Sequence, residues 1–488
     1  MSEESVTSPV CAPSEEASLR PLCVDLDGTL VKSDTLVDSL LVLARTQPLA
    51  AARSPLWLRG GKASFKAQVS ARVTLDVDHL PWNRELLDYL TEQRAAGRKL
   101  YLVTGADAAL AQRVADRLGI FDGVLASDGV TNRTGGRKLS HLREHFSESG
   151  FDYIGNARPD GSVLAGCGEP MVANPTRSLR AMIRSGRIPV SRSFHDRASR
   201  WKSLVKAIRL HQWAKNVLIF VPLVLAHVFR LAELGEAALA FLSFSLCASA
   251  TYIFNDLLDI EADRRHPKKR LRPFAAGDLS AIGGMAFVAV LLAAAFTGAA
   301  FLSRGYFAWL LTYLVATLAY SLRLKRVALL DVLLLSGLYT LRLLAGAAAV
   351  HVRISHWFAG FAIFLFLSLA IVKRFSELQN VRARGGSLAN GRGYLLTDIE
   401  QLRSFGTVSA MASVVIFTLY ISSGETLGLY RRPGRMWLIV PLLIWWIFRV
   451  WLLASRGELD EDPVIFAVTD KMSLLIWLCV AVIAVLAV

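Results

Sequence analysis

The sequence predicts two domains in series: an N-terminal α/β domain, then an all-α polytopic membrane domain of about nine transmembrane helices. Three observations carry that reading. Short apolar strands alternate with helical stretches over residues 21–175, the pattern of a parallel sheet with crossover helices. After residue 210 the chain becomes a series of long apolar runs, each near the 20 or so residues that a bilayer-crossing helix needs. The charge divides in the same place: residues 1–200 hold 26 basic and 23 acidic groups, residues 201–488 hold 29 and 17. A 488-residue chain that is 53% hydrophobic excludes a disordered or fibrous protein.

Residues 1–20 carry Glu3, Glu4, Glu15 and Glu16 without an apolar core, and read as an acidic tail. The α/β domain is placed at 21–176, with strands at Pro21–Val24, Leu100–Val103, Gly123–Ala126 and Tyr153–Ile154 and a helical cap over 33–98. Residues 177–204, with eight basic groups and the single acid Asp196 up to Lys202, read as a basic juxtamembrane linker; near anionic headgroups each cation is worth roughly 1 kcal/mol. The membrane domain is placed at 205–488, with spans near 212–229, 236–256, 280–303, 305–322, 329–350, 355–372, 405–422, 436–454 and 471–488. Basic loops follow the even-numbered spans, which puts those loops and the N-terminal domain in the cytoplasm, with the protein in the inner membrane. The five cysteines follow no metal-ligand spacing, in keeping with a reducing cytosol. Trp445, Trp446 and Trp451 read as interfacial or lipid-facing anchors. The basic surplus is assigned to the membrane and to anionic substrates; no nucleic-acid partner is expected, and a homo-oligomer stays open.

The first strand runs into Asp25-Leu26-Asp27-Gly28-Thr29. Carboxylates at i and i+2 of an extended segment point the same way, so both can face one metal or phosphate, and Gly28 permits a tight turn after them. This segment resembles the first motif of the haloacid dehalogenase superfamily, a Rossmannoid fold with a helical cap. The resemblance implies Asp25 as nucleophile and Asp27 as general acid/base. It also implies Thr104, at the end of Leu100–Val103, as a phosphate ligand, and Lys138, with Arg137 as competitor, as the phosphate-balancing cation. Mg²⁺ would be held by Asp25, Asp27 and Asp160. The fourth motif departs from the family, because Asn156 replaces its first acid in Gly155-Asn156-Ala157-Arg158-Pro159-Asp160.

In the membrane half, Asp256, Asp259 and Asp263 are spaced i, i+3, i+7, on one face of a helix where the second span meets the cytosol. Clustered acids there need a cation, and Mg²⁺ carrying a diphosphate supplies it. Arg264, Lys268 and Arg272 follow as an anion-binding lip. Asn255 to Asp263 with this basic tail resembles the first signature of UbiA-type intramembrane prenyltransferases. That family's second acid cluster, after the sixth span, is replaced by Lys373-Arg374-Phe375-Ser376-Glu377. The chain is similar instead to the polyprenyl-phosphate phosphoribosyltransferase branch. The resemblance runs through Arg209 to Asn216, Tyr320-Ser321 with Lys325 and Asp331, Arg342 with Gly346, and Asp462-Pro463 before Asp470. It implies a polyprenyl phosphate acceptor and 5-phosphoribosyl 1-diphosphate as donor. Asp256, Asp259 and Asp263 then hold Mg²⁺, and Lys215, Asn255, Arg264, Lys268, Arg272, Tyr320, Lys325, Asp331, Arg342, Lys373 and Arg374 bind substrate. Arg342 lies eleven residues after Asp331, about three turns, so the two share a similar face. The phosphatase-like domain would act on the 5-phosphate of the product. Two alternatives remain: an aromatic prenyltransferase using a polyprenyl diphosphate, and a non-catalytic lipid-binding or transport protein.

Overall fold

The computed structural model describes residues 20–127, 135–147, 150–383, 385, 392–459 and 462–488, so the acidic tail before Arg20 lies outside the described residues. Two compact units divide the chain: residues up to Ala207 together with Phe254–Ala286, and Ile208–Ile253 together with Phe287–Val488.

The first unit is built on a six-stranded sheet of β1 (Leu22–Val24), β2 (Leu100–Asp107), β3 (Gly123–Ser127), β4 (Asp152–Gly155), β5 (Pro170–Ala173) and β6 (Arg192–Phe194). All pairings are parallel and the order is β3-β2-β1-β4-β5-β6. β1 is therefore central, with Val24 opposite both Leu102 and Ile154. Alternate residues feed two apolar layers, Leu22, Val24 and Leu102 on one face, Cys23, Val103 and Tyr153 on the other. Both faces are covered, as a parallel sheet requires. The chain order reverses at β1, and the crevice beyond the carboxyl ends of strands at such a point is where open α/β sheets bind ligands. Between β1 and β2 lie α1 (Thr35–Thr46), Pro48–Trp57, Gly61–Ser70 and Arg84–Ala95, so the cap region is helical. α1 starts sharply because the Asp34 side chain accepts the amides of Leu36 and Val37.

The expected linker at 177–204 is corrected by the sheet. Its residues form the helix Arg177–Arg184, capped by Thr176, and β6, whose Phe194 pairs with Ala173 and is fully buried. The other two residues of this edge strand are exposed and basic charge surrounds it, so no apolar period marks it.

The membrane helices are Leu231–Leu258, Ala281–Ala300, Arg304–Leu322, Leu330–Ala349, His356–Ala383, Leu396–Ile421 and Pro433–Ser455. That makes seven among the described residues, or eight if Pro463–Thr469 and Lys471–Ala487, bent by 73°, form one span. Of the nine transmembrane helices expected, the first is not a long α-helix. Residues 212–229 fall in a 3₁₀ run, Leu210–Phe220, followed by a five-residue helix, Val221–Leu225. Pro222 lacks an amide donor, and polar Lys215 and Asn216 are buried within the run. The tryptophan expectation also changes. Trp446 and Trp451 are buried and donate to Ser473 and Ser368 at 3.0 and 3.1 Å, whereas Trp445 is exposed.

Candidate functional site

Asp25 and Asp27 leave the carboxyl end of the central strand, and Gly28, at φ +75°, turns the chain back so that its amide meets Ser33 O at 3.0 Å. The Asn156 carboxamide lies directly over Gly28, where a Cβ would overlap it. Lys138, not Arg137, turns inward: its Nζ is 2.7 Å from Asp25 Oδ1 and donates to Tyr153 Oη at 2.6 Å. Thr29 donates to Asp25 Oδ2 at 3.3 Å. Thr104 is buried in β2, its Oγ1 accepting the Ala106 amide. Asp27 Oδ1 accepts the Thr35 amide at 2.7 Å. Burial pushes Asp25 up to about 6 against the pull of Lys138; burial, with Asp34 adding to it, pushes Asp27 up to about 7. A small cavity beside Asp27 is lined also by Asp34, Lys66 and Asp107.

Asp160 departs from its expected role. One oxygen accepts the amides of Asn156 and Ala157 and the other accepts the Tyr153 hydroxyl at 2.9 Å, so the carboxylate braces the turn after β4. Asp25, paired with Lys138, and half-buried Asp27 stand together at the end of β1 and fit a divalent ion; Asp160 does not complete the set. Among the described residues no group of three or more His, Cys, Asp or Glu side chains is arranged to hold a metal.

The second acid group also lies in the first unit. The helix Leu231–Leu258 stops before Asp259, whose φ and ψ (−95°, 10°) break the helix before Ile260–Arg265 resumes. The expected single face of three acids is therefore two plus one. Arg272 Nη1 bridges Asp256 Oδ1 (3.1 Å) and Asp263 Oδ2 (2.6 Å), while Asp259 pairs with Arg45 at 3.3 Å. Burial lifts the Asp263 carboxyl above its ordinary range, with Arg272 opposing. Two convergent carboxylates already held by one cation fit Mg²⁺, which takes one or two carboxylates and completes its shell with water and phosphate oxygens. Of the basic lip, Arg264 is committed elsewhere: it donates to Ala275 O (3.2 Å), Asp38 Oδ2 (2.8 Å) and Ser33 Oγ (3.1 Å). Lys268 is exposed and Asn255 half-buried.

The second unit holds several buried or half-buried cations. Asp462, at the amino end of Pro463–Thr469, takes Lys215 and Lys373 on one oxygen (2.8 and 2.7 Å) and the Tyr339 hydroxyl on the other (3.1 Å). Burial alone would raise its carboxyl, but Lys373 and Lys215 hold it well below the usual carboxylate range. Arg374 is buried against Asp331 (2.5 Å), Glu377 (2.7 Å) and Tyr320 Oη (3.1 Å), and Tyr394 donates to Asp331. Arg342 does not meet Asp331. It donates to Asn216 Oδ1 (2.8 Å) and Leu338 O (2.5 Å), inside rings of Phe244, Tyr313 and Tyr339 whose centroids lie 5.1–5.4 Å away. Lys325 sits half-buried in the turn Leu324–Arg326. Sequence reasoning gave no role to Tyr153, Tyr339 or Tyr394, because a tyrosine in an apolar run carries no local sign of its partner.

The family description "UbiA prenyltransferase family" matches residues 217–486. A relative from Sinorhizobium fredii, the uncharacterized protein y4nM, is 38% identical over 471 residues, 95% of this chain and 90% of that one. Decaprenyl-phosphate phosphoribosyltransferase of Mycobacterium tuberculosis is 34% identical over 278 residues, 55% of this chain and 88% of the relative. A solved UbiA homolog from Archaeoglobus fulgidus, bound to GPP and Mg²⁺, aligns with a TM-score of 0.46 at 16% identity, over 58% of this chain and 99% of the other. With more than half of its length matched and its helices long and apolar enough to cross a bilayer repeatedly, the chain belongs to the UbiA prenyltransferase family.

Proposed function

We propose that the chain transfers 5-phosphoribose from 5-phosphoribosyl 1-diphosphate to a polyprenyl phosphate. The observation that carries this reading is the cationic polar interior of the second unit. Lys373 stands where a donor of prenyl diphosphate calls for a second acid cluster, and it shares the single carboxylate of Asp462 with Lys215. Two ammonium groups on one carboxylate leave a net positive charge suited to a phosphate and hostile to a second metal clamp. The similarity to decaprenyl-phosphate phosphoribosyltransferase supports the same substrate pair.

In this reaction the bond from the anomeric carbon to the diphosphate oxygen breaks and its electron pair leaves with diphosphate. An anionic oxygen of the lipid phosphate forms the new bond and needs little general-base help. Asp256 and Asp263 would hold Mg²⁺, and the chemistry it would supply there is neutralisation of the diphosphate's charge. Arg272 orders those two carboxylates, and Lys215 and Lys373 orient a phosphate, with Asp462 keeping their ammonium groups in register. Arg374, Asp331 and Arg342 shape the interior through the bonds that Arg374 makes to Asp331 and Arg342 to Asn216. The N-terminal domain is assigned a phosphate-monoester site at Asp25, Asp27, Thr104 and Lys138, by its resemblance to haloacid dehalogenases. Purified protein with 5-phosphoribosyl 1-diphosphate, Mg²⁺ and polyprenyl phosphate should release diphosphate and form a lipid heavier by one phosphoribosyl group. Lys373→Ala should lower this at least tenfold. Turnover of a prenyl diphosphate with a phenolic acid, and none with the phosphoribosyl donor, would replace this reading with the aromatic prenyltransferase.

A further inference from the structure

We propose that the end of the second unit remote from Lys215 and Lys373 binds an anionic phospholipid, with Arg353 and Ser355 meeting its phosphodiester and an apolar cavity taking the start of an acyl chain.

The helix His356–Ala383 sets the distance between the two ends. Lys373 follows His356 by seventeen residues, about 26 Å along the axis. That is close to the thickness of the hydrocarbon core, so with Lys373 near one headgroup layer the loop 350–355 lies near the other. At that end the last turn of Val221–Leu225, the loop 350–355 and residues from 420 to 429 line a cavity of about 220 Å³. Its wall is mostly apolar, including Pro222, Leu225, Ile354, Phe358 and Leu429. Two polar groups in it lack partners among the described residues. Ser355 Oγ is buried without a hydrogen bond, and the exposed Arg353 makes neither an ion pair nor a hydrogen bond. An orphaned hydroxyl and an unclaimed guanidinium beside apolar walls suit an anion with acceptor oxygens and an attached hydrocarbon. The rim is strained as well. His227 and His351 both adopt φ of 55°, each just past a helix end where glycine is usual. The Val228 amide returns to Leu223 O (3.2 Å) and the Val352 amide to Ala347 O (2.9 Å), turns that leave Ala226 and Val352 in the cavity wall. Charge and position favour a lipid over a free anion. The loops at this end, 226–230, 301–304, 350–355 and 422–438, hold six arginines and one glutamate, a surplus that attracts anions. Trp357, exposed beside Phe358, is of the type that sits at headgroup level.

The test uses the full-length protein in detergent, given phosphatidylglycerol or phosphatidylcholine with the same acyl chains. Bound lipid is counted by native mass spectrometry, and thermal midpoints without lipid show that each variant is folded. Wild type is expected to retain phosphatidylglycerol in preference to phosphatidylcholine, with millimolar inorganic phosphate failing to displace it. Arg353→Gln should weaken that binding about three- to tenfold, the worth of one cation near a headgroup. Arg353→Lys should recover most of the loss. Arg230→Gln, which removes the same charge at the same end but outside the cavity, should change nothing. Ala226→Phe keeps every charge and fills the cavity, and should weaken binding too. Equal retention of the two lipids overturns the site, as does displacement by inorganic phosphate. Equal losses in Arg353→Gln and Arg230→Gln, with Ala226→Phe at wild-type affinity, would reduce the effect to general surface charge and overturn it as well. A dimer indifferent to lipid that Arg353→Gln dissociates would give the cavity to a second copy of the chain instead.

Discussion

Asp27 is the clearest case of a residue whose position the spacing announced and whose surroundings tune its titration. Its folded value of about 7 stands above the ordinary 3.8 because burial, and then Asp34, disfavour the charge. Below about pH 4 the group is protonated whether the chain is folded or not, and it costs nothing. Between pH 4 and 7 the unfolded chain releases the proton and the folded one keeps it, so stability falls as pH rises and stays lower above 7. Asp27→Asn should therefore slow amide exchange in Leu22–Val24 relative to wild type at pH 8 and leave the ratio near one at pH 4. Partners across the fold were less legible than positions. A separation of eleven residues correctly gave Asp331 and Arg342 a shared helix, Leu330–Ala349, yet said nothing of the neighbouring helix that presents Arg374 to Asp331. Arg374→Met should leave Asp331 buried without its cation and cost about 3–5 kcal/mol. A fall in thermal midpoint with substrate KM unchanged in the surviving protein is the expected result; a raised KM at full stability would return Arg374 to the substrate.

At the level of elements, what the sequence revealed tracks runs of apolar residues, short ones at β1 to β4 and long ones in the membrane helices. β5, a four-residue strand, and β6, a half-exposed edge, went unread. The run Leu210–Phe220 reads as apolar but is wound as 3₁₀, which composition cannot distinguish from an α-helix. Its packing can be tested through two glycines of the helix Leu330–Ala349. A Cβ at Gly346 would collide with the backbone of Ile219, whereas one at Gly337 would meet nothing. Gly346→Ala should destabilise by about 1–3 kcal/mol, as overpacking does. It should also disturb Lys215 and Asn216, which sit on the same run. Gly337→Ala should stabilise by about 0.5–1 kcal/mol, the usual gain for alanine over glycine inside a helix. Thermal midpoints of the two variants, compared in one detergent, check both signs; equal shifts would mean the 3₁₀ run is not clamped at Gly346.

For the molecule as a whole, connectivity constrains how the chain threads the bilayer. Residues up to Ala207 and Phe254–Ala286 belong to one compact unit, tied by pairs such as Arg264 with Asp38, so they occupy the same side of the membrane. The helix Leu231–Leu258 crosses once and ends in that unit. A single crossing by that helix predicts a crossing in the opposite direction between Ala207 and Leu231, although no long α-helix lies there. The 3₁₀ run is long enough for it. Its eleven residues rise roughly 2.0 Å each, and the five α-helical residues after it roughly 1.5 Å each. Together they reach about 30 Å, the thickness of the hydrocarbon core. The excess of arginine and lysine in Arg264–Arg272 predicts that the shared side faces the cytoplasm. With the native cysteines replaced, Phe229→Cys and Arg270→Cys should react with a membrane-impermeant maleimide from opposite faces of sealed vesicles, Arg270→Cys from the cytoplasmic one. Labelling of both from one face would show that Leu210–Leu225 re-enters without crossing, and that Leu231–Leu258 does not traverse the bilayer as a simple span.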